Sequence, residues 1–379
     1  MKKLILLIAV GFLLSLAIPQ ELQHVTGVVN VEVPVRVFDG DKFVDDLTIN
    51  DFAVFEDGQP QKIAALYMIR KTKVQKEEAA GPAATTPVPK TGRHIVLLFE
   101  VNDPLPKLNE ALDFFFSEVL QPEDTLTVTT PRKTYHLKPE TFAHVPRTEV
   151  ARQLKEKLRP DIVAGASEYR SILRDIRDLV NDFNVDEDLK EQMLLEYIRR
   201  LRDRIGLDES RLRAFAQTLK VQEGQKYVFL FYQRERVVLP PLSDFASTEL
   251  RRSLDFNTKD IERIFADASL TVHLIYLTQT TTSALEITDQ MRGSTLDTKD
   301  LSENIYGAFK EMAQATGGIT EATGNALASF QKAVTASENY YILYYAPVGY
   351  RADGKFKEIR VTVKGKSYRV TNRAGYFAN

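Results

Sequence analysis

Apolar and polar residues alternate along residues 25–38, with Val29, Val31, Val33, Val35 and Val37 on one parity. A period of two is that of a half-buried strand. Asp39-Gly40-Asp41 then signals a turn. Ala53-Val54-Phe55, ending in Glu56-Asp57-Gly58, predicts a second strand, and residues 62–69 a third. The first segment, 18–70, is therefore expected to be a small antiparallel β unit.

At residue 94 the pattern changes. Residues 94–100 form a continuous apolar run of the kind found in buried parallel strands. Residues 105–120 follow at helical spacing, with Leu108, Leu112, Phe115, Phe116 and Val119 on one face, until Pro122-Glu123-Asp124. Residues 125–130 and 134–137 are expected strands. Residues 148–220 are expected to be helical, with breaks near 160–166 and Asn184. Strands at 227–232 and 270–277 bracket a helix at 260–268. A helix at 303–315 closes on Thr316-Gly317-Gly318, where glycine suits a left-handed C-cap. This alternation predicts, for 93–338, an α/β fold class with a doubly wound, mostly parallel sheet. From 339 to 379 the pattern returns to β, and those strands are expected to join 18–70 in an accessory antiparallel unit. Residues 71–92 carry Pro82, Pro87 and Pro89 among Lys, Glu, Ala and Thr, which predicts a flexible linker.

Composition narrows the chemistry. The 379 residues are 44% hydrophobic and 27% charged, an ordinary globular balance. With 50 Lys+Arg against 52 Asp+Glu, the chain lacks the basic surface of a general nucleic-acid binder. There is no Cys, which excludes disulfides, thiolate metal sites and Cys nucleophiles. Met1-Lys2-Lys3 precedes an apolar stretch at 4–17 that is too short for a membrane span and suits a signal peptide. Cleavage is expected after Ala17, with an uncleaved anchor as the alternative. The protein is thus expected to be exported, periplasmic or extracellular, with a possible association with the cell envelope.

Several motifs resemble the von Willebrand factor A-related domain family described from acidobacterial proteins. Val33-Pro34-Val35-Arg36-Val37, followed by Leu47-Thr48-Ile49-Asn50-Asp51-Phe52-Ala53-Val54-Phe55-Glu56-Asp57-Gly58, is similar to the family's entry motif. Residues 95–100 resemble the first strand of an A-type domain, and Gly224-Gln225-Lys226 the lead into its fourth. Thr316-Gly317-Gly318, then Tyr340-Tyr341-Ile342-Leu343-Tyr344-Tyr345, then Arg373-Ala374-Gly375-Tyr376, resemble its closing pattern. The resemblance implies a protein ligand bound at a metal-ion-dependent adhesion site of form D-x-S-x-S. The matching positions here are Glu100-Val101-Asn102-Asp103-Pro104, a degenerate version in which Pro104 offers no side-chain oxygen. Tyr232-Gln233-Arg234-Glu235 stands at a second loop of that site, where Arg234 would place a cation near the metal position.

The functional expectation is a non-enzymatic protein–protein interaction module, with no cofactor and no metal. Its partner-binding residues would be Glu100, Asn102, Asp103, Ser167, Gln233, Arg234 and Glu235, on strand-end loops at 100–104, 165–167 and 233–235. One alternative is metal-dependent adhesion using Glu100, Asn102 and Asp103, whose oxygens suit a hard cation. Another is a hydrolase centred on the paired carboxylates Glu100 and Asp103. His94, His136, His144 and His273 are scattered, and none has the spacing of a helical metal pair. Asp39-Gly40-Asp41 and Glu56-Asp57-Gly58 lack EF-hand spacing, and no phosphate loop is present. Alternation puts Tyr341 and Tyr345 on one face of their strand and Tyr340 and Tyr344 on the other: one face for a core, the other for cross-strand packing or a binding surface. In 189–220, Met193, Leu194, Tyr197, Ile198 and Leu201 predict a helix packed on the sheet with its arginines in solvent, or a partner-docking helix.

Overall fold

A computed structural model describes residues 29–80, 88–205, 208–234, 236–239, 248, 258–278, 297–300, 302–365 and 367–379. The expected signal segment 1–17 and Glu235 lie outside the described residues. Along the chain run β1 (Val31–Asp39), β2 (Lys42–Phe43), β3 (Phe52–Glu56), β4 (Gln59–Gln61), β5 (Ile63–Arg70), β6 (Lys73–Ala79) and β7 (Arg93–Glu100). After α1 (Pro106–Phe114), which widens into a π turn over Phe115–Val119, come β8 (Thr125–Thr129) and β9 (Thr134–Leu137). Five helices follow: α2 (Pro139–His144), α3 (Arg147–Gly165), α4 (Ser167–Asn181), α5 (Glu187–Ile205) and α6 (Glu209–Lys220). Then come β10 (Gln225–Gln233), β11 (Arg236–Leu239), α7 (Thr258–Asp267), β12 (Leu270–Leu277), β13 (Asp297–Asp300), α8 (Ser302–Ala315), β14 (Thr320–Thr323) and α9 (Ala326–Glu338). The chain closes with β15 (Asn339–Tyr345), β16 (Phe356–Val363), β17 (Arg369–Asn372) and β18 (Gly375–Phe377).

The two ends of the chain build one β unit. One sheet has the order β17-β1-β15-β5-β6, with β2 beside β1, and is antiparallel throughout. A second, β18-β16-β3-β4, packs on it. Val31, Val33, Val35 and Val37 face that second sheet, together with Tyr341, Leu343 and Tyr345. The other parity of β15, Tyr340, Ile342 and Tyr344, enters a different core with Phe229, Phe231 and Phe330. Both faces of the tyrosine strand are therefore core, and neither is a binding surface.

The second layer is a mixed sheet, β14-β12-β10-β7-β8-β9. The three continuous apolar runs, β7, β10 and β12, lie parallel at its centre, and β9 closes it antiparallel. Residues of α1, α3 and α9 cover one face, and residues of α6, α7 and α8 the other.

The expected fold class is corrected by these pairings. Ten of the fourteen strand pairings among the described residues are antiparallel, and the parallel ones are confined to a single mixed sheet. The molecule is a mostly antiparallel, β-rich fold, not a doubly wound, mostly parallel α/β sheet. The physical reason is one of signal strength. Strands buried on both faces give long apolar runs that dominate a hydropathy pattern, whereas ten of the eighteen strands among the described residues come from the weaker patterns at 31–79 and 339–377.

Three local expectations also change. The segment taken as a linker from residue 71 opens with β6, paired antiparallel to β5. Helix α3 runs through Pro160 and stops only at Gly165, where an added Cβ would come within 2.5 Å of Pro131 Cβ. Helix α5 packs not on a sheet but against α4, in a hairpin whose core includes Ile172, Ile176, Ile198 and Leu201. The cap at Thr316-Gly317-Gly318 forms as expected: Gly317 has φ of 74°, and the Gly318 N–H donates to the Ala313 carbonyl at 2.9 Å. Among the described residues no helix is long and apolar enough to cross a membrane.

Candidate functional site

Of the residues singled out from the sequence, Glu100, Asn102, Asp103, Gln233 and Arg234 lie where β7 and β10 end side by side. Register pairs Tyr232 with Glu100, so the residues that follow each strand emerge at the same edge. Gln233 is the last residue of β10, and its side chain is buried. Its Oε1 accepts the backbone N–H groups of Asn102 at 3.0 Å and Asp103 at 3.1 Å. One side-chain amide thus satisfies two consecutive donors of the turn leaving β7, which an irregular half-buried loop could not otherwise do internally. Pro104 follows, and Pro106 opens α1, where a missing N–H costs nothing.

From the other side the loop is held by a residue that the sequence pattern did not single out. Arg170, in the first turn of α4, donates from Nη2 to the Asn102 carbonyl at 2.6 Å and to Asp103 Oδ1 at 2.5 Å. Both side chains of the ion pair are part-exposed, at 30% and 26%. Ser167 opens the same helix one turn earlier, is exposed, and donates its hydroxyl to the Ala164 carbonyl at 2.7 Å. Gly165, which ends α3, lies close against Pro131. Arg170 was hidden because Ser167-Glu168-Tyr169-Arg170 sits in a long, charge-balanced helical stretch, where an arginine looks like a solvated face. The available signal is position: it lies one turn after Ser167.

Asn102, Asp103 and Gln233 are therefore in one hydrogen-bonded unit with Arg170. Glu100 is exposed at the end of β7. The Arg234 N–H donates to the Leu277 carbonyl at 2.8 Å, which ties that residue to the end of β12.

The arrangement presents a fixed polar loop with a guanidinium beside its carboxylate. Arg170 rests on the carbonyl and carboxylate oxygens that a metal ion would otherwise draw on. Among the described residues, no group of three or more His, Asp or Glu is placed to hold a metal ion. The histidines lie elsewhere. His94 is six residues before Glu100 on the same strand, about 20 Å away at 3.3 Å per residue, and its Nδ1 pairs with Thr125 Oγ1 at 2.6 Å. His273 is fully buried, and its Nδ1 accepts the Ile319 N–H at 3.3 Å.

No family model matches the chain, and no curated protein does. Among solved structures it is similar to the human COPII-coat protein Sec24c, at 8% identity and a TM-score of 0.32, over 76% of this chain and 44% of that one. The chain thus spans less than half the length of that protein. It is also similar to the N-terminal domain of TFIIH p34, at 11% identity and a TM-score of 0.23, over 64% of this chain and 97% of that one. Similarities at these scores carry no argument about function.

Proposed function

We propose that the protein is an exported, non-enzymatic interaction module that binds a protein partner, without a metal ion, through the strand-end loop at 100–104 and the adjoining start of α4. The observation that carries this reading is the contact of Arg170 with both the Asn102 carbonyl and the Asp103 carboxylate. A divalent cation at those oxygens would sit beside a permanent positive charge. The loop is held in shape by Gln233 and Arg170, so little ordering is needed when a partner docks. The order of motifs resembling the von Willebrand factor A-related family supports membership of that family and a protein ligand. The basic and apolar start at 1–17 supports export.

The test is a photo-crosslinking residue at Ser167 in cells of the source organism. A discrete adduct is expected, unchanged by EDTA and lost when Arg170→Ala is added. An adduct that EDTA removes would sink the metal-free reading, and no adduct at Ser167 would sink the surface. Mass measurement of the purified envelope form should show the chain beginning after Ala17.

A further inference from the structure

At the opposite end of β10 from the strand-end loop, a cleft of about 430 Å³ opens between the mixed sheet and the β unit. Lys226 and Gln233 are seven residues apart on this strand, about 23 Å at 3.3 Å per residue, so the two places are separate. The cleft is lined by Lys226, Arg373, Glu32, Lys220, Tyr350 and Tyr376, among others.

Two of these cations are buried without a carboxylate partner among the described residues. Lys226 is 7% exposed, and Nζ donates only to the Gln222 carbonyl at 3.0 Å. Arg373 is 9% exposed; Nη2 donates to the Glu32 carbonyl at 2.6 Å, while its Nε has no acceptor among the described residues. The acidic groups nearby are already satisfied. Glu32 accepts from the Tyr344 hydroxyl at 2.6 Å and from Gln225 Nε2 at 2.8 Å. Asp267 accepts from Lys220 Nζ at 2.6 Å and from the Phe377 N–H at 2.9 Å. Burial holds the Lys226 ammonium below the usual lysine range; Glu32 opposes this, and the neighbouring Arg373 and Lys220 add to it. Buried cations in proteins are normally paired, and here both cationic residues line the same open cleft.

We propose that this cleft binds a small organic anion, its carboxylate or phosphate headgroup between Lys226 and Arg373 and its body against Tyr350 and Tyr376. The two headgroups share the chemistry that Lys and Arg recognise, and the test separates them. The mature chain is melted in low-salt buffer with millimolar inorganic phosphate, with succinate, and with sodium chloride of equal ionic strength. One of the two anions should raise Tm saturably above the chloride control; phosphate as the responder assigns a phosphate headgroup, and succinate a carboxylate. Lys226→Gln should abolish the rise. Lys220→Gln, at the rim, should weaken the apparent affinity several-fold by leaving the Asp267 carboxylate facing the cleft. The proposal is overturned if neither anion exceeds chloride. It is also overturned if Lys220→Gln and a folded Lys226→Gln keep the wild-type affinity. Should Lys226→Gln fail to fold, an unchanged affinity in Lys220→Gln is by itself enough to overturn it.

Discussion

Arg36 shows how a charged residue can be native to a core. It is 1% exposed on β1, on the parity opposite the valines. Its Nε donates to the Ala336 carbonyl at 2.6 Å, Nη1 to the Gly317 carbonyl at 3.3 Å and Nη2 to Thr271 Oγ1 at 3.4 Å. Ala336 is in the last turn of α9, and Gly317 follows the end of α8, so the guanidinium meets two helix C-termini, where partial negative charge gathers. Arg36→Met would leave buried carbonyls unpaired and should cost about 2–4 kcal/mol, at roughly 1–3 kcal/mol per orphaned group. Urea unfolding measures this; a loss below about 1 kcal/mol would mean that relief of desolvation cancels it. Nearby, burial and the charge of Arg36 hold the His273 imidazole well below its ordinary range. Its folded pKa is lowered, so below about pH 6.5 the unfolded chain binds a proton that the native state refuses. Its stability contribution is full above that pH and falls as pH drops, by up to about 1.4 kcal/mol per unit. The slope between pH 6.5 and 5.5 should flatten in His273→Asn, which keeps an acceptor for Ile319; an unchanged slope would assign the loss to other groups.

The loop after β7 is the element on which the functional reading depends, and Gln233 is its internal support. Gln233→Ala should leave two N–H groups of the turn without acceptors and lower stability by about 1–3 kcal/mol, whereas Gln233→Glu keeps an acceptor at the same place. Equal losses in the two variants, measured by denaturation, would show that packing rather than acceptance matters. At this scale the sequence was partly legible. Period-two valines marked β1, and unbroken apolar runs marked β7, β10 and β12, because burial on one face or two leaves those patterns directly. The strand β6 was invisible, since Lys73-Val74-Gln75-Lys76-Glu77-Glu78-Ala79 has the composition of a linker. It is an edge strand, and charge on an edge is how sheets avoid pairing with other chains; only its tertiary partner β5 makes it a strand. The loop residues Asn102, Asp103 and Gln233 were found through the resemblance, but Arg170 was not, because what singles it out is a contact across 67 positions of sequence.

For the molecule as a whole, the sheet containing β15 is a shared wall. Tyr340, Ile342 and Tyr344 belong to one core, and Tyr341, Leu343 and Tyr345 to the next. The β unit and the mixed sheet should therefore unfold together, in one calorimetric transition whose enthalpy matches its van't Hoff value. Two resolved transitions would show the wall to be weaker than its burial implies. The hairpin of α4 and α5 is different: with its own small core, its amides should exchange faster than those of β10 in native-state hydrogen exchange. The fold class escaped the sequence at this same scale: the β patterns of the two chain ends led to an expected joint unit, but nothing local fixes which strands pair, as residue 31 does with residue 345, or that antiparallel pairings outnumber parallel ones. That pairing also sets an order in time. Arg373 reaches back 341 positions to the Glu32 carbonyl, and β1 has β15 and β17 as neighbours, so the first strand made must wait for almost the last. A ribosome-bound chain ending before residue 339 should stay open to protease along its β1 segment, and the full-length chain should not. Such a delay would leave the leading segment extended and unpaired until its synthesis is nearly complete.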